Sequence, residues 1–167
     1  HDAAWVANQE RSATESLSMY LRKNRVRCGD TRRTYLSIAH NVWWSGENGK
    51  KAQSRPVVIA SFGVEDKIDI DLAREVVVAV ENSAPKFPTR RGDGKAATMR
   101  IAQEIRKVEP FLKVLVSREL GLAEHLPPGE ERGRVLELLI REKLAEPQSG
   151  QRPKEILAHL RSRLGGG

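Results

Sequence analysis

Nine basic side chains, Arg22, Lys23, Arg25, Arg27, Arg32, Arg33, Lys50, Lys51 and Arg55, fall between residues 19 and 60, where the only acids are Asp30 and Glu47. Their excess of seven equals the net charge of the whole 167-residue chain, +7. A guanidinium offers a fork of donors to phosphate or to guanine, an Asn amide pairs with adenine, and an aromatic ring offers a flat face to bases and sugars. Tyr35, Asn41 and Trp43 lie among the basic residues, so the types present suit nucleic-acid recognition. The competing reading is a solvated basic sheet that only keeps the protein in solution.

Reaction chemistry is not encoded in a comparable way. Gly92-Asp93-Gly94-Lys95 lacks the preceding strand and the glycine spacing of a phosphate-binding loop, and no Ser/His/Asp arrangement carries a supporting motif. The acids lie in helix-forming segments beside bases, as surface ion pairs do, and Glu130-Glu131 reads as helix-start charge. His1, His40, His125 and His159 are scattered and Cys28 is the only cysteine, so neither zinc-ligand spacing nor an internal disulfide is available. The expectation is a protein that is not an enzyme and needs neither cofactor nor metal. His40 falls on the apolar alternate of its strand and is expected in the core; His159 is expected on a helix surface.

These side chains need elements to hold them. Strands are expected at about 20–27, 34–44 and 55–62, with Gly29-Asp30 as the first turn and the Gly-, Asn- and Lys-rich stretch 45–51 as the second. In the second strand Leu36, Ile38 and Val42 share one alternate, and Tyr35, Ser37, Ala39, Asn41 and Trp43 the other. Short turns imply an antiparallel meander with one face free. Tyr35, Asn41 and Trp43 are expected on that face; Trp44 is expected to pack the sheet edge. Arg25 and Arg27 share an alternate of the first strand. If that alternate coincides with the Tyr35 face, guanidinium, amide and ring form one reading surface.

Asp69 or Asp71 can cap a following helix, in which Ala73, Val76, Val77 and Val80 recur at helical spacing and can cover the Leu36/Ile38/Val42 face. The β-branched run Val76-Val77-Val78 would also suit a strand; cap and stripe favour helix. Residues 85–96 read as a basic linker in which Arg90, Arg91 and Lys95 either follow a phosphate backbone or merely connect domains. Helices are expected at about 97–107, 110–120, 132–145 and 153–164, with Pro110 near a start, Gly121 just past an end, and Val135, Leu138, Leu139, Glu142 and Leu144 in one amphipathic pattern. The division is then a leader or appended segment (1–18), a β-meander plus helix (19–84), the linker, a helical domain (97–164) and a Gly tail (165–167). The fold class is α+β. The composition also lacks an apolar run of membrane-spanning length and a secretory signal, so a cytoplasmic, bacterial-type protein is expected.

Five segments carry a resemblance. Met19-Tyr20-Leu21-Arg22-Lys23, Thr34-Tyr35, and Arg55-Pro56-Val57-Val58-Ile59-Ala60-Ser61-Phe62-Gly63 resemble the opening of DDE insertion-sequence transposases of the IS-four superfamily. In the second half, residues 115–122 are similar to that family's Leu-Trp-Glu-Glu-Leu-Gly-Leu helix end, and residues 138–149 to its Asn-Arg-Leu-x-Asp-Pro-x-Ser segment. The sequence departs at Arg141-Glu142-Lys143, where the family has Asn-Arg, and at Pro56. The resemblance implies the DNA-binding, pre-catalytic region without the RNase H-like domain that holds the metal-binding carboxylates.

The functional expectation is therefore sequence-specific binding of double-stranded DNA, at a transposon end or a derived operator. The DNA-contacting set is Arg22, Lys23, Arg25, Arg27, Arg32, Arg33, Tyr35, Asn41, Trp43, Lys50, Lys51, Arg55, Arg90, Arg91 and Lys95. The alternatives are an RNA-binding domain and a protein-interaction module, with the helical region as a candidate homodimer contact. No membrane partner is expected.

Overall fold

A computed structural model of the chain describes residues 19–44, 53–85, 94–147 and position 158; of residues 43, 44, 53, 94 and 95 only the backbone is described. The expectations for the leader at 1–18, the Lys50/Lys51 turn, the linker arginines Arg90 and Arg91, the side chains of Trp43, Trp44 and Lys95, the helix at 153–164 and the Gly tail lie outside the described residues.

The fold is α+β. Three strands, β1 (Tyr20–Cys28), β2 (Thr31–Trp44) and β3 (Gln53–Val64), form an antiparallel sheet in the order β1-β2-β3. A single 3-10 turn (Glu65–Lys67) leads into α1 (Ile70–Ser83), followed by α2 (Gly94–Arg106), α3 (Glu109–Val116), α4 (Leu122–His125) and α5 (Glu130–Ala145). Each strand runs one to three residues past its sequence-based bounds because the ladder continues to the turn: Cys28 pairs with Thr31 directly across Gly29-Asp30. Gly29 adopts the left-handed region at φ 64°, which a residue with a Cβ visits at a cost.

Helix α1 forms for the reason its sequence suggests. The Asp69 carboxylate accepts from the Leu72 N–H at 3.2 Å, and Leu72, Ala73, Val76, Val77, Ala79 and Val80 are buried on one stripe. A strand would have sent Val76 and Val77 to opposite faces; as a helix the run buries both and exposes only Val78. The helix after Pro110 stops at Val116, short of the expected 120. Ser117 turns extended and bridges to Ile68, while Asp69 N–H donates to Val116 O and Arg118 N–H to Lys67 O, both at 2.9 Å. The short α4 was not anticipated, and Gly121, in the left-handed region, precedes it rather than closing a long helix.

The core departs from the sequence pattern in two places. In α5 the buried stripe is Arg132, Leu136, Leu139, Ile140 and Lys143, whereas Leu138 is exposed. The sheet does not leave one whole face free either: Leu36, Ser37, Ile38, Ala39 and His40 are all buried, so the middle of β2 is covered on both alternates. Helix α1 packs against β1, α3 and α5; α2 packs against β2 and β3, and α3 against β3. One hydrophobic cluster runs from Met19 through Leu36, Val76 and Leu112 to Ile140, and so includes residues on both sides of the 85–96 segment. Among the described residues no helix is long and apolar enough to cross a membrane.

Candidate nucleic-acid interface

The buried part of β2 is its middle, residues 36–40, together with Val42. Beyond that, every residue from Lys23 to Arg33 is exposed, whichever way it points. The far half of the β1–β2 hairpin is therefore a two-stranded ribbon, standing clear of the core and carrying Lys23, Arg25, Arg27, Arg32 and Arg33 against the single acid Asp30. Thr31 Oγ1 donates to Cys28 O at 3.0 Å and Arg27 Nε to Gly29 O at 3.3 Å, which tie the turn.

Directly paired residues in an antiparallel ladder point to the same face, so register sorts these side chains. Lys23 lies opposite Leu36, Arg25 opposite Thr34 and Arg27 opposite Arg32. Asn24 lies opposite Tyr35, Val26 opposite Arg33 and Cys28 opposite Thr31. The first face holds four bases and no acid, and continues into the core face of Leu36 and Ile38. The second carries one base, Arg33, on the ribbon, with the half-buried Arg22 behind it. The condition for a single reading surface is not met: Arg25 and Arg27 lie on the opposite face from Tyr35 and Asn41.

Tyr35 and Asn41 are both half-buried, and the Tyr20 hydroxyl donates to Asn41 Oδ1 at 2.8 Å. Asn41 therefore closes a contact within the protein. Burial raises the Tyr20 phenol pKa, with Arg22 pulling against that shift. Arg55, exposed on β3, pairs with Val42 towards the other end of β2. Thr31 and Trp44 are the two ends of β2, roughly 40 Å apart at ~3.3 Å per residue, so the ribbon turn and the 45–52 connection leave the sheet from opposite ends. Lys23 approaches Glu65 at 3.8 Å; among the described residues Arg25, Arg27, Arg32 and Arg33 form no ion pair.

Asn24 and Val26 were not among the expected contact residues, yet both stand on the exposed ribbon, Val26 with 38% of its surface open. A signal for them was present. Taking Gly29-Asp30 as a two-residue turn sets odd positions of β1 opposite even positions of β2, which predicts the faces without coordinates.

Farther along, β3 is irregular. The register with β2 shifts between Leu36 and Ser37 and again between Ile38 and Ala39, leaving Phe62 and Ile59 as extra residues on β3. Both are buried. The α2–α3 corner reaches this edge through Arg106 and Glu109.

His40 is 4% exposed, and burial lowers its pKa to about 4, so the ring is neutral at pH 7. Among the described residues no group of His, Cys, Asp and Glu could hold a metal ion. No family model, no curated protein and no solved structure matches this chain.

Proposed function

We propose that this protein binds double-stranded DNA and that the projecting β1–β2 ribbon enters a groove. The observation that carries the reading is the ribbon itself: residues 23–33 are exposed on both faces, with five bases against one acid. A major groove about 12 Å wide accepts a two-stranded ribbon. A ribbon free on both faces can go in. Duplex is favoured over single-stranded RNA because residues 23–33 contain no aromatic on which a base could stack. The resemblance of five segments to insertion-sequence transposases supports the finer reading that the duplex is a transposon end or a derived operator.

Fluorescence anisotropy of the full chain with labelled duplex tests the reading. Affinity should fall steeply with salt, with a slope of about −0.9 per phosphate neutralised. The triple substitution Arg25→Ala, Arg27→Ala and Arg32→Ala should weaken binding at least tenfold and flatten that slope. Affinity indifferent to salt, or unchanged in the triple variant, overturns the proposal. Selection from a random duplex library then reads sequence preference, and single-stranded RNA serves as competitor.

A further inference from the structure

Arg27 and Arg32 are the most unusual pair on the ribbon. They are direct cross-strand partners, one step from the turn. Hydrogen-bonded and non-bonded pairs alternate along an antiparallel ladder. With Cys28–Thr31 closing the hairpin, the Arg27–Arg32 pair is the non-bonded kind, whose Cα atoms sit about 4.5 Å apart and whose side chains approach most closely. Like charges placed there destabilise the hairpin. No acid relieves them: Asp30 forms an ion pair with neither, and among the described residues no other carboxylate does. Arg27 spends its Nε on Gly29 O, which anchors the guanidinium at the turn and leaves its two Nη groups to donate elsewhere.

The geometry points to an anion clamp, in which one phosphate group bridges the Arg27 and Arg32 guanidiniums. This rests on the DNA-binding reading and gives it a point of grip. A phosphate oxyanion accepts charge-assisted hydrogen bonds from both forks and converts a repulsive pair into two attractive ones. Arg25 and Lys23 continue the same face, so a phosphate held at the turn end leaves them next in line along the backbone. The opposite face, with Asn24, Val26 and Arg33, is left to face the bases.

NMR of the intact 15N-labelled chain provides the test, with inorganic phosphate and a short mixed-sequence duplex as separate probes at constant ionic strength. The Arg27 and Arg32 Nε–H signals and the Gly29 amide should shift saturably with both probes, at least threefold more than those of Arg118 and Arg134. Arg32→Ala should weaken inorganic phosphate binding at Arg27 at least tenfold, whereas Arg32→Lys should keep part of it. In phosphate-free, low-salt buffer Arg32→Ala, which leaves the Arg27–Gly29 bond in place, should melt no lower than the parent chain, because it removes a repulsion. A melting temperature that falls overturns the clamp, as do shifts that are linear and alike at all arginines. The two proposals fail separately. Phosphate binding without duplex binding leaves the clamp and removes the DNA reading. Salt-dependent duplex binding with Arg27 and Arg32 unmoved leaves the DNA reading and removes the clamp.

Discussion

Arg106, the last residue of α2, donates from Nη2 to the Val58 carbonyl at 2.6 Å and from Nε to the Ile59 carbonyl at 3.3 Å. Three residues on, Glu109 Oε2 accepts from Ser61 N–H at 2.9 Å. These backbone groups flank the bulged stretch of β3, the outer strand on its side of the sheet. A guanidinium and a carboxylate thus stand in for the donors and acceptors of a missing fourth strand. An open edge is a template for pairing with another chain, and this one is closed by side chains.

Replacing both residues, Arg106→Ala with Glu109→Ala, should lower unfolding free energy by about 1–3 kcal/mol, the range for hydrogen bonds with one charged partner in a half-exposed setting. It should also promote self-association as the β3 edge opens. Urea denaturation and sedimentation velocity check the two effects. A variant as stable and as monomeric as the parent would show that the edge needs no closing.

The second prediction concerns Arg132 of α5, 4% exposed, whose Nε donates to Glu75 Oε1 at 3.2 Å and Nη1 to Leu126 O at 3.2 Å; Nη2 pairs with Glu75 Oε2 as well. The fork joins α1 to α5 across 57 residues of sequence. Glu75→Ala strands a buried guanidinium. Glu75 itself keeps some solvent, so the expected loss is about 2–3 kcal/mol, below the ~3–5 of a fully buried pair. Arg132→Met, which removes the charge, should cost less than Glu75→Ala. The reverse order in chemical denaturation would falsify this account.

The third prediction follows from His40. Its folded pKa, about 4, lies below the ordinary 6.5, so between those values the unfolded chain binds more protons. Its contribution is present above pH 6.5 and is lost as pH falls towards 4. Between pH 7.5 and pH 5 the loss should be on the order of 2 kcal/mol. His40→Gln should flatten the stability profile in that window, whatever it does to stability at pH 7.5. A profile of unchanged slope in the variant assigns the acid sensitivity to other groups.

The fourth prediction separates the two faces of the sheet. Tyr20→Phe and Asn41→Ala each remove the same hydrogen bond, at a cost of about 1 kcal/mol, and should not add when combined. Their duplex affinity should stay within twofold of the parent. Arg32→Ala should show the converse, with lower affinity and unreduced stability. An Asn41→Ala variant that folds normally but loses sequence preference returns Asn41 to the reading surface.

The sequence alone determined what local chemistry determines. The α+β class, the three strands, the Gly29-Asp30 turn, the Asp69 cap and the buried stripe of α1 all rest on contacts among residues close in the chain, where alternation, helical period and capping act directly. Burial of His40 was legible for the same reason, because its strand alternate is apolar. Tertiary packing decided the rest. Periodicity marks a helix face as apolar but not which apolar residues a neighbour will cover, so Leu138 came out exposed. Arg132 and Lys143, which no hydrophobic pattern selects, came inside because Glu75 and the Phe111 ring, 5.6 Å from Lys143 Nζ, were there to receive them. The bridge from Ile68 to Ser117, with Arg118 Nε donating to Ile68 O across 50 residues of chain, cut a helix short. Most consequentially, charge content did not reveal where the charge faces. Side chains in a strand alternate with a period of two, so a single step in pairing sends a residue to the other side. The pairing of Arg27 with Arg32, rather than any feature of either residue, put the basic side chains together on one face of an exposed ribbon.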